Sequence, residues 1–469
     1  MSAVGLRERP VVAPLPAAAA LVAGCLALAG LSLLGPSVPS YDPFAWLVWG
    51  REIVSHGQTL DMAGGPSWKP LPVFFTAPFA LTGGAAPYLW LLVARAGALL
   101  GLAGAFALAR RLAGAWAGAV AAATLLLTQE YVSLAARGAS EPLLIACVLW
   151  AVERHLAGRR GTAFALGVGA ALIRPEAWPF LGLYALWCWR ASRGRERALI
   201  AAGLALIPLA WFGPPAVAGE ILAAGAHAAK YNGHTGSDPG WTALKRGIEL
   251  AVAPVWLLAL AAVGLRGRER VVRWLALGAA AWLALVVVMT AAGFPGLPRF
   301  MLPSAAVACV LAGAGAVELV ARAGGGRRAL VVAALLVAGA ALTASRAATL
   351  GDQVRVARDA VRKQDELTRA IAAMGGRAAV LACGGVAVNH TAQSALAWKL
   401  HARLDRVGTQ LDRPGIVFAG PQSTALGSPP LLTLEAPYVK HRVAHLGVWR
   451  MVVVQPPGAG VPRGCGAHA

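Results

Sequence analysis

The sequence predicts a polytopic α-helical membrane protein with about 11 transmembrane helices and a small extracytoplasmic α/β domain at its C-terminus. Hydrophobic residues make up 58% of the 469 residues, and charged residues make up only 13%. A typical soluble domain has about 25% charged residues. Mean hydropathy is +0.63. This composition leaves too little polar surface for a water-soluble protein of this size, and it excludes an intrinsically disordered chain.

Apolar runs near helix length define the crossings, because a spanning helix needs about 20 apolar residues. The first run, Val12–Leu34, follows Arg7 and Arg9. It is long for the apolar part of a signal peptide, and no cleavage site obviously follows, so we interpret it as a retained helix. The further runs are Tyr88–Ala109, Ala113–Thr128, Glu141–Val152, Gly161–Ile173, Ala177–Trp189, Ala198–Ala218, Leu250–Leu265, Val271–Ala292, Phe300–Val320 and Ala329–Ala344.

Arginine clusters predict the orientation of these helices in the plasma membrane. They fall in every second loop, and cytoplasmic loops carry an excess of Arg and Lys. With all clusters inside, the N-terminus is cytoplasmic, the C-terminus is extracytoplasmic, and residues 161–189 must hold two helices. This placement of the net charge of +21 argues against nucleic acid as a partner. The clusters are Arg110–Arg111, Arg154/Arg159/Arg160, Arg190/Arg193/Arg195/Arg197, Arg266/Arg268/Arg270/Arg273 and Arg322/Arg327/Arg328.

Two domains are expected. Residues 1–345 form the transmembrane domain, whose external loop 35–87 carries most of the candidate site. In that loop, the proline-interrupted stretch Leu71–Leu81 predicts an interfacial segment or a half-helix. Residues 346–469 are of ordinary polarity and form the predicted extracytoplasmic domain. We expect a helix at Asp352–Met374 and strands at Ala378–Cys383, Gly415–Ala419 and Trp449–Gln455.

Polar side chains concentrate on the predicted external side, where they are costly unless they bind something or find partners. The functional interpretation is a site for an anionic, lipid-linked substrate. The alternative is interfacial anchoring and ion pairing between helices. For the whole set we favour the site. Its members are Asp42, Arg51, Glu52, His56, Asp61, Lys69, Glu130, Arg137, Glu141, Arg174, Glu176 and Arg299.

Several stretches resemble a known family. Asp42–Ile53, which reads DPFAWLVWGREI, follows the first helix and resembles the first external loop of GT-C glycosyltransferases. The similarity is greatest to the protein O-mannosyltransferase and lipid A aminoarabinose transferase group, where an Asp precedes an Arg-Glu pair. Trp68–Pro72 looks like that group's Lys-Pro-Pro-Leu element. Three further stretches of this sequence look like features common in bacterial members of the group, namely Ser140–Pro142, Arg174–Glu176 and Pro298–Pro303.

The resemblance covers about residues 10–345 and implies a GT-C-like fold with an outward-facing active site. Enzymes of this type pass a sugar from a polyprenyl-phosphate carrier to an acceptor. The resemblance implies Asp42 as general base and Lys69 as a ligand of the donor phosphate. The group often has an acidic residue directly after the Asp, where this chain has Pro43. That departure leaves the acceptor type and any use of metal open.

The chemistry of such a transfer agrees with these residue types. An acceptor hydroxyl loses its proton as it attacks the anomeric carbon, and a carboxylate can take that proton. The leaving phosphate gains negative charge, which cations placed in advance stabilise. Arginine also binds phosphate through two parallel hydrogen bonds. The candidate cations are Lys69, Arg137, Arg174 and Arg299.

Asp42 and Lys69 each have a structural alternative. An Asp before Pro is a common helix start signal, which would make Asp42 the N-cap of a helix Phe44–Ile53. Lys69 also fits a side chain that only anchors its segment by extending to the membrane surface. We favour catalysis for Asp42, and if its carboxylate is not the base, Glu141 or Glu176 is the next candidate.

Further substrate contacts are expected from Tyr41, Trp68, Glu141 and Glu176. The aromatic side chains of the first loop either stack on a sugar or form an interfacial belt. We favour the belt for Trp46 and Trp49 and leave both interpretations open for Trp68, which adjoins Lys69.

Cys383 and Cys465 are the only cysteines of the predicted external domain, and we expect them to form a disulfide. No metal-binding spacing of Cys and His occurs. We expect no cofactor to be required beyond the polyprenyl-phosphate sugar as co-substrate, and a divalent metal ion is left open. The expected partners are membrane lipid, the lipid-linked donor and a glycan, lipid or protein acceptor.

The leading function is an inverting glycosyltransferase. The alternative is a transporter or flippase of lipid-linked sugars, a class that often shows inverted repeats and broken helices in both halves. No such symmetry is visible in the sequence. A non-catalytic membrane scaffold would leave the charges at the membrane edge unexplained.

Overall fold

The computed structural model describes residues 15–55, 62, 65–219, 238–423, 426–435 and 437–465, so the predicted site residues His56 and Asp61 lie outside the described residues. Helices dominate the chain as far as residue 382. They are α1 (Leu15–Ser32), α2 (Tyr41–Val54), α3 (Pro70–Ala80), α4 (Ala86–Ala113), α5 (Ala115–Leu126), α6 (Tyr131–Ala136), α7 (Glu141–Leu156), α8 (Arg160–Ala171), α9 (Trp178–Ala191), α10 (Arg195–Val217), α11 (Pro239–Glu249), α12 (Ala253–Arg266), α13 (Arg270–Ala291), α14 (Leu302–Arg322), α15 (Gly326–Ala373) and α16 (Gly376–Ala382).

Five of the described helices are long and apolar enough to cross a membrane, namely α4, α10, α13, α14 and α15. The number rises to six if α11 and α12, whose axes differ by 88°, form one broken span. Residues 161–189 hold the two short helices α8 and α9, as the sequence predicts. The full set of eleven crossings stays a prediction.

Helix α14 is the buried centre of the membrane region. Its first fifteen residues, Leu302–Ala316, are all buried. Small residues make this possible, because a Cβ on Gly313 would lie 2.2 Å from the Ala117 carbonyl oxygen of α5. A Cβ on Gly315 would lie 2.0 Å from the Leu258 carbonyl oxygen of α12. Close backbone approach through small residues is typical of helices that pack within membranes.

Helix α2 lies between the membrane helices and the C-terminal region, and it packs on both. A Cβ on Gly50 would lie 2.6 Å from the backbone of Thr76 in α3, and the Thr76 hydroxyl donates a 2.6 Å hydrogen bond to the Trp46 carbonyl. Trp46 and Trp49 are completely buried. The interfacial belt expected for these two residues is therefore wrong, because both side chains lie in a hydrophobic core shared with the C-terminal region.

The C-terminal region is a small α/β unit, as predicted, but the boundary expected at residue 345 falls inside the continuous helix α15. A five-stranded sheet has the order β2-β1-β4-β7-β6, with parallel pairs on one side and antiparallel pairs on the other. Helix α17 (Gln393–Leu400) packs on it. The strands are β1 (Gly385–Val388), β2 (Val407–Gly408), β3 (Gln410–Leu411), β4 (Gly415–Ala419), β5 (Leu431–Leu432), β6 (Val439–Leu446) and β7 (Trp449–Gln455).

The strands expected at 415–419 and 449–455 are confirmed as β4 and β7. The strand expected at Ala378–Cys383 is wrong, because these residues belong mainly to helix α16. Cys383 follows this helix and is joined to Cys465 by a disulfide, with the Cα atoms 4.7 Å apart. The bond joins the segment that follows β7 to the residue that precedes the turn into β1.

Candidate active site

Six charged side chains meet where several helices begin. Each of these helix starts or turns has a proline within its first turn, at positions 43, 70, 142, 175 and 298. Proline favours helix starts because its φ is preset and it has no N–H to leave unpaired. Helix starts also favour bound anions. The charged residues are Asp42 in α2, Lys69 before α3, Glu141 at the start of α7, Arg174 and Glu176 between α8 and α9, and Arg299 before α14.

Glu141 is the centre of this cluster. Its Oε1 lies 3.2 Å from Nζ of Lys69, 3.4 Å from Nη1 of Arg174 and 3.7 Å from Nε of Arg299. The Glu141 side chain is 1% exposed, and its Oε2 has no hydrogen-bond partner among the described residues. Buried charges need partners of opposite sign. The three cations are matched by three carboxylates, those of Asp42, Glu141 and Glu176.

The Asp42–Arg299 pair is the most accessible part of the cluster. Nη2 of Arg299 donates to Oδ2 of Asp42 at 3.0 Å, and the two side chains are 27% and 16% exposed, respectively. The other four charged side chains are at most 7% exposed. Helix α2 begins at Tyr41 with Ser40 at the N-cap, so the interpretation of Asp42 as the N-cap is wrong. A ligand entering the site reaches Asp42 and Arg299 first.

Lys69 is buried inside the cluster and does not extend to a membrane surface. Its ammonium donates to the Ser140 hydroxyl at 2.8 Å and lies 5.2 Å from the centre of the Trp46 ring. Burial lowers the pKa of Lys69, and the neighbouring Glu141 carboxylate opposes that shift. The snorkelling alternative is therefore wrong, because the charge points into the protein.

Glu176 holds Arg174 in place. The carboxylate accepts two hydrogen bonds from the guanidinium, at 3.1 Å from Nε and 2.6 Å from Nη2. The same guanidinium carbon lies 3.5 Å from the centre of the Phe300 ring. Because both oxygens of Glu176 accept hydrogen bonds from Arg174, this carboxylate fixes the orientation of the Arg174 guanidinium.

Three other predicted site residues lie around the cluster without joining its ion pairs. Arg137 is exposed, and its Nε donates to the carbonyl of Ser133. Its guanidinium interacts electrostatically with Asp42 and Arg299 without forming an ion pair with the cluster. The hydroxyl of Tyr41 donates to Oε1 of Gln393 at 3.1 Å, and its ring packs against that of His390.

Trp68 is turned away from the charged cluster. Its indole N–H donates to the carbonyl of Ala210 at 3.0 Å, and its ring packs edge-on against Trp49. Trp68 is buried and its polar atom already has a partner within the fold, so its expected contact with substrate stays a prediction.

Arg51 joins α2 to the C-terminal region, a role that sequence reasoning missed. Its Nη1 and Nη2 donate to the carbonyls of Trp398 and Ala402 at 3.1 and 2.7 Å. The guanidinium also lies 5.0 Å from the centre of the Trp398 ring. No local sequence pattern predicts contacts with residues about 350 positions away. The members of the charged cluster, in contrast, are identifiable in the sequence as polar residues at a predicted membrane edge.

Within the described part of the chain, no group of three or more His, Cys, Asp or Glu side chains is arranged to hold a metal ion. The expectation that no cofactor is required remains an expectation.

No protein-family model matches the chain, and the search of curated proteins found no match. Two solved structures of ArnT from Cupriavidus metallidurans are similar. The apo structure has a TM-score of 0.56 and 16% identity, and the match covers 93% of this chain and 97% of that one. The structure bound to undecaprenyl phosphate has a TM-score of 0.56 and 14% identity, with 95% and 100% coverage. The chain therefore has the fold of these ArnT structures over almost its whole length.

Proposed function

We propose that this chain is an inverting glycosyltransferase that moves a sugar from a polyprenyl-phosphate-linked donor to an extracytoplasmic glycan, lipid or protein acceptor. The accessible Asp42 carboxylate, paired with Arg299 beside the buried Lys69 and Arg174, carries the proposal. The fold supports it, because one ArnT structure of the same fold is bound to undecaprenyl phosphate.

In this proposal the three cations bind the donor phosphate and stabilise its growing charge as the sugar leaves. Glu141 and Glu176 hold the cations in position before the reaction, so little reorganisation is needed at the transition state. Arg299 lies between Asp42 and Glu141, at 3.0 and 3.7 Å, and is the cation nearest the opening. A donor phosphate that draws Arg299 toward itself would release Oδ2 of Asp42.

Asp42 then accepts the proton of the acceptor hydroxyl as its oxygen attacks the anomeric carbon. The new glycosidic bond forms on one face while the bond to phosphate breaks on the other, which inverts the anomeric centre. Glu141 and Glu176 are less suited to this role, because both are buried and bound to cations in the resting site. No metal ion is required in this scheme.

The test uses the purified full chain in lipid nanodiscs with a panel of labelled undecaprenyl-phosphate sugars and envelope acceptors. We expect Asp42→Asn to fold and bind donor but to transfer sugar about 10²–10⁴-fold more slowly, because the amide cannot accept the proton. The matched control is Asp238→Asn, because the Asp238 carboxylate caps α11 through the N–H of Trp241 and makes no ion pair among the described residues. Asparagine caps about as well as Asp, so this variant should keep full activity.

Near-normal transfer by Asp42→Asn would place the base elsewhere and overturn the assignment. In closed vesicles that contain the chain, movement of labelled lipid from one leaflet to the other without transfer to any acceptor would instead support the flippase.

A further inference from the structure

Arg95 is a buried arginine within the apolar helix α4. It is the only charged residue of α4 before Arg110, and it lies about 14 Å along the axis from the start of the helix. It forms no ion pair within the described part of the chain. Ionisable residues inside spanning helices are costly and mark functional sites. Arg95 therefore requires an explanation that the charged cluster of the candidate site does not supply.

The guanidinium of Arg95 joins the ends of two other helices. Its Nη1 donates to the carbonyl and to the hydroxyl of Ser32, the last residue of α1, at 2.9 and 3.0 Å. Its Nη2 donates at 3.0 Å to the carbonyl of Ala136, the last residue of α6. The last carbonyls of a helix have no partner within the helix and carry partial negative charge. The charge of Arg95 is therefore stabilised by two helix ends, and Arg95 holds these ends together.

From Ala136 the connection continues to the helix of the candidate base. The next carbonyl along the chain, that of Arg137, accepts the N–H of Ser40 at 3.0 Å and the Ser40 hydroxyl at 3.3 Å. Ser40 is the N-cap of α2 and precedes Asp42 by two residues. The carbonyl that Arg95 binds is thus adjacent in the chain to the carbonyl that fixes the start of α2.

A second donor of α4 holds the same segment. The indole N–H of Trp90, a completely buried side chain, donates at 2.8 Å to the carbonyl of Gly138. Gly138 has a φ of 77°, a backbone conformation that favours glycine. Glu141, the centre of the charged cluster, follows three residues later. Helix α4 therefore fixes the segment between α6 and α7 at two points.

We propose that Arg95 is a positioning residue for the proposed transfer reaction. It acts through the end of α6 and Ser40, which together hold the Asp42 carboxylate against Arg299. A displacement of about 1 Å at a reacting group can cost about 10²-fold in rate. The effect on rate rests on the proposed function, whereas the effect on the start of α2 does not.

The first experiment separates kcat from donor binding in the full chain in nanodiscs. The transfer assay of the proposed function gives kcat and KM, and labelled undecaprenyl phosphate gives the affinity for the lipid phosphate. We expect Arg95→Gln to lower kcat about 10–100-fold. The affinity for undecaprenyl phosphate should stay within about twofold of the native value, because all three cations of the site are retained. Arg95→Lys should recover part of the lost rate, because an ammonium can donate to both helix ends.

The matched control is Arg266→Gln. Arg266 lies near the other end of α4, where its Nη2 donates at 2.8 Å to the carbonyl of Leu112, and it pairs with Glu269. This variant should lower the unfolding midpoint but leave kcat unchanged. Native kcat in Arg95→Gln would overturn the proposal. An equal fall of kcat in Arg266→Gln, or a loss of phosphate affinity as large as the loss of kcat, would also overturn it.

The second experiment needs no turnover and uses amide hydrogen exchange measured by mass spectrometry. We expect faster exchange over residues 131–141 and 40–44 in Arg95→Gln than in the native chain, and native exchange there in Arg266→Gln. If Arg95→Gln does not fold, Trp90→Phe is measured instead. It removes the N–H that Gly138 accepts, and it should show the same faster exchange and lower kcat.

The two proposals fail separately. If the native chain transfers no sugar from any donor, the proposed function fails, and faster exchange in Arg95→Gln still supports Arg95 as the residue that fixes the start of α2. If sugar is transferred while kcat and exchange in Arg95→Gln stay native, only the role of Arg95 fails.

Discussion

Glu141→Gln removes the one carboxylate that three cations share. The six charges of the cluster sum to zero in the native chain and to one net positive charge in the variant. Glutamine keeps the size of the side chain, so the effect is electrostatic. Breaking a buried ion pair costs about 3–5 kcal/mol of stability. Since Glu141 is 1% exposed and lies within 3.7 Å of all three cations, we expect the full effect and a lower midpoint of thermal unfolding.

The variant should also respond more strongly to a lipid phosphate. In the native chain Glu141 competes with any phosphate for the same three cations, whereas Gln competes less. A ligand at about 100 times its Kd adds about 2.7 kcal/mol to stability. We therefore expect undecaprenyl phosphate to raise the midpoint of Glu141→Gln by more than it raises that of the native chain, in differential scanning fluorimetry.

Glu153→Gln is the matched control. Glu153 lies on the same helix, is 5% exposed, and pairs with Arg111 at 2.9 Å and with Arg154, far from the candidate site. It should lose stability in the same way but show only the native response to undecaprenyl phosphate. If undecaprenyl phosphate raises the unfolding midpoint equally in the native chain, in Glu141→Gln and in Glu153→Gln, competition between Glu141 and phosphate is refuted.

Three further predictions test individual features. Lys69→Met should weaken binding of undecaprenyl phosphate about tenfold or more in a pull-down with labelled lipid, and it should also lower the unfolding midpoint, because it breaks the buried pair with Glu141; unchanged affinity in the folded variant would leave Lys69 a purely structural member of the cluster. Serine at both Cys383 and Cys465, which are separated by 82 positions, should lower stability by about 4–5 kcal/mol in the chain-entropy model; an unchanged unfolding midpoint would contradict this. A reporter fused after Gly325 should give a cytoplasmic signal and one after Gly351 an external signal; a cytoplasmic signal after Gly351 would contradict the odd number of crossings.

The sequence includes all six members of the cluster among twelve candidate charged residues, but it does not show which of the twelve meet or how they pair. Charged residues at a membrane edge are costly without a partner or a function, which makes all of them candidates, and the family resemblance adds roles for Asp42 and Lys69 only. The partner of Asp42 is 257 positions away, and no local pattern encodes such a contact.

Burial explains most of the wrong predictions. A tryptophan belt and a tryptophan core use the same residues, and only the covering C-terminal region distinguishes them for Trp46 and Trp49. The segment at 378–383 is short and apolar, and periodicity alone does not separate strand from helix in such runs. Its three alanines and its leucine are good helix formers, which agrees with α16.

Helix α15 has a mechanical consequence. Its 48 residues form one rod about 72 Å long at 1.5 Å per residue, of which about 30 Å suffices to cross the hydrocarbon core. The remaining ~40 Å is a lever, and a tilt of about 5° at the membrane would move its far end by about 4 Å. Arg51 acts against that movement by fastening the C-terminal region to α2, the helix of Asp42. A change in bilayer thickness would therefore load the hydrogen bonds of Arg51 that hold the C-terminal region to α2.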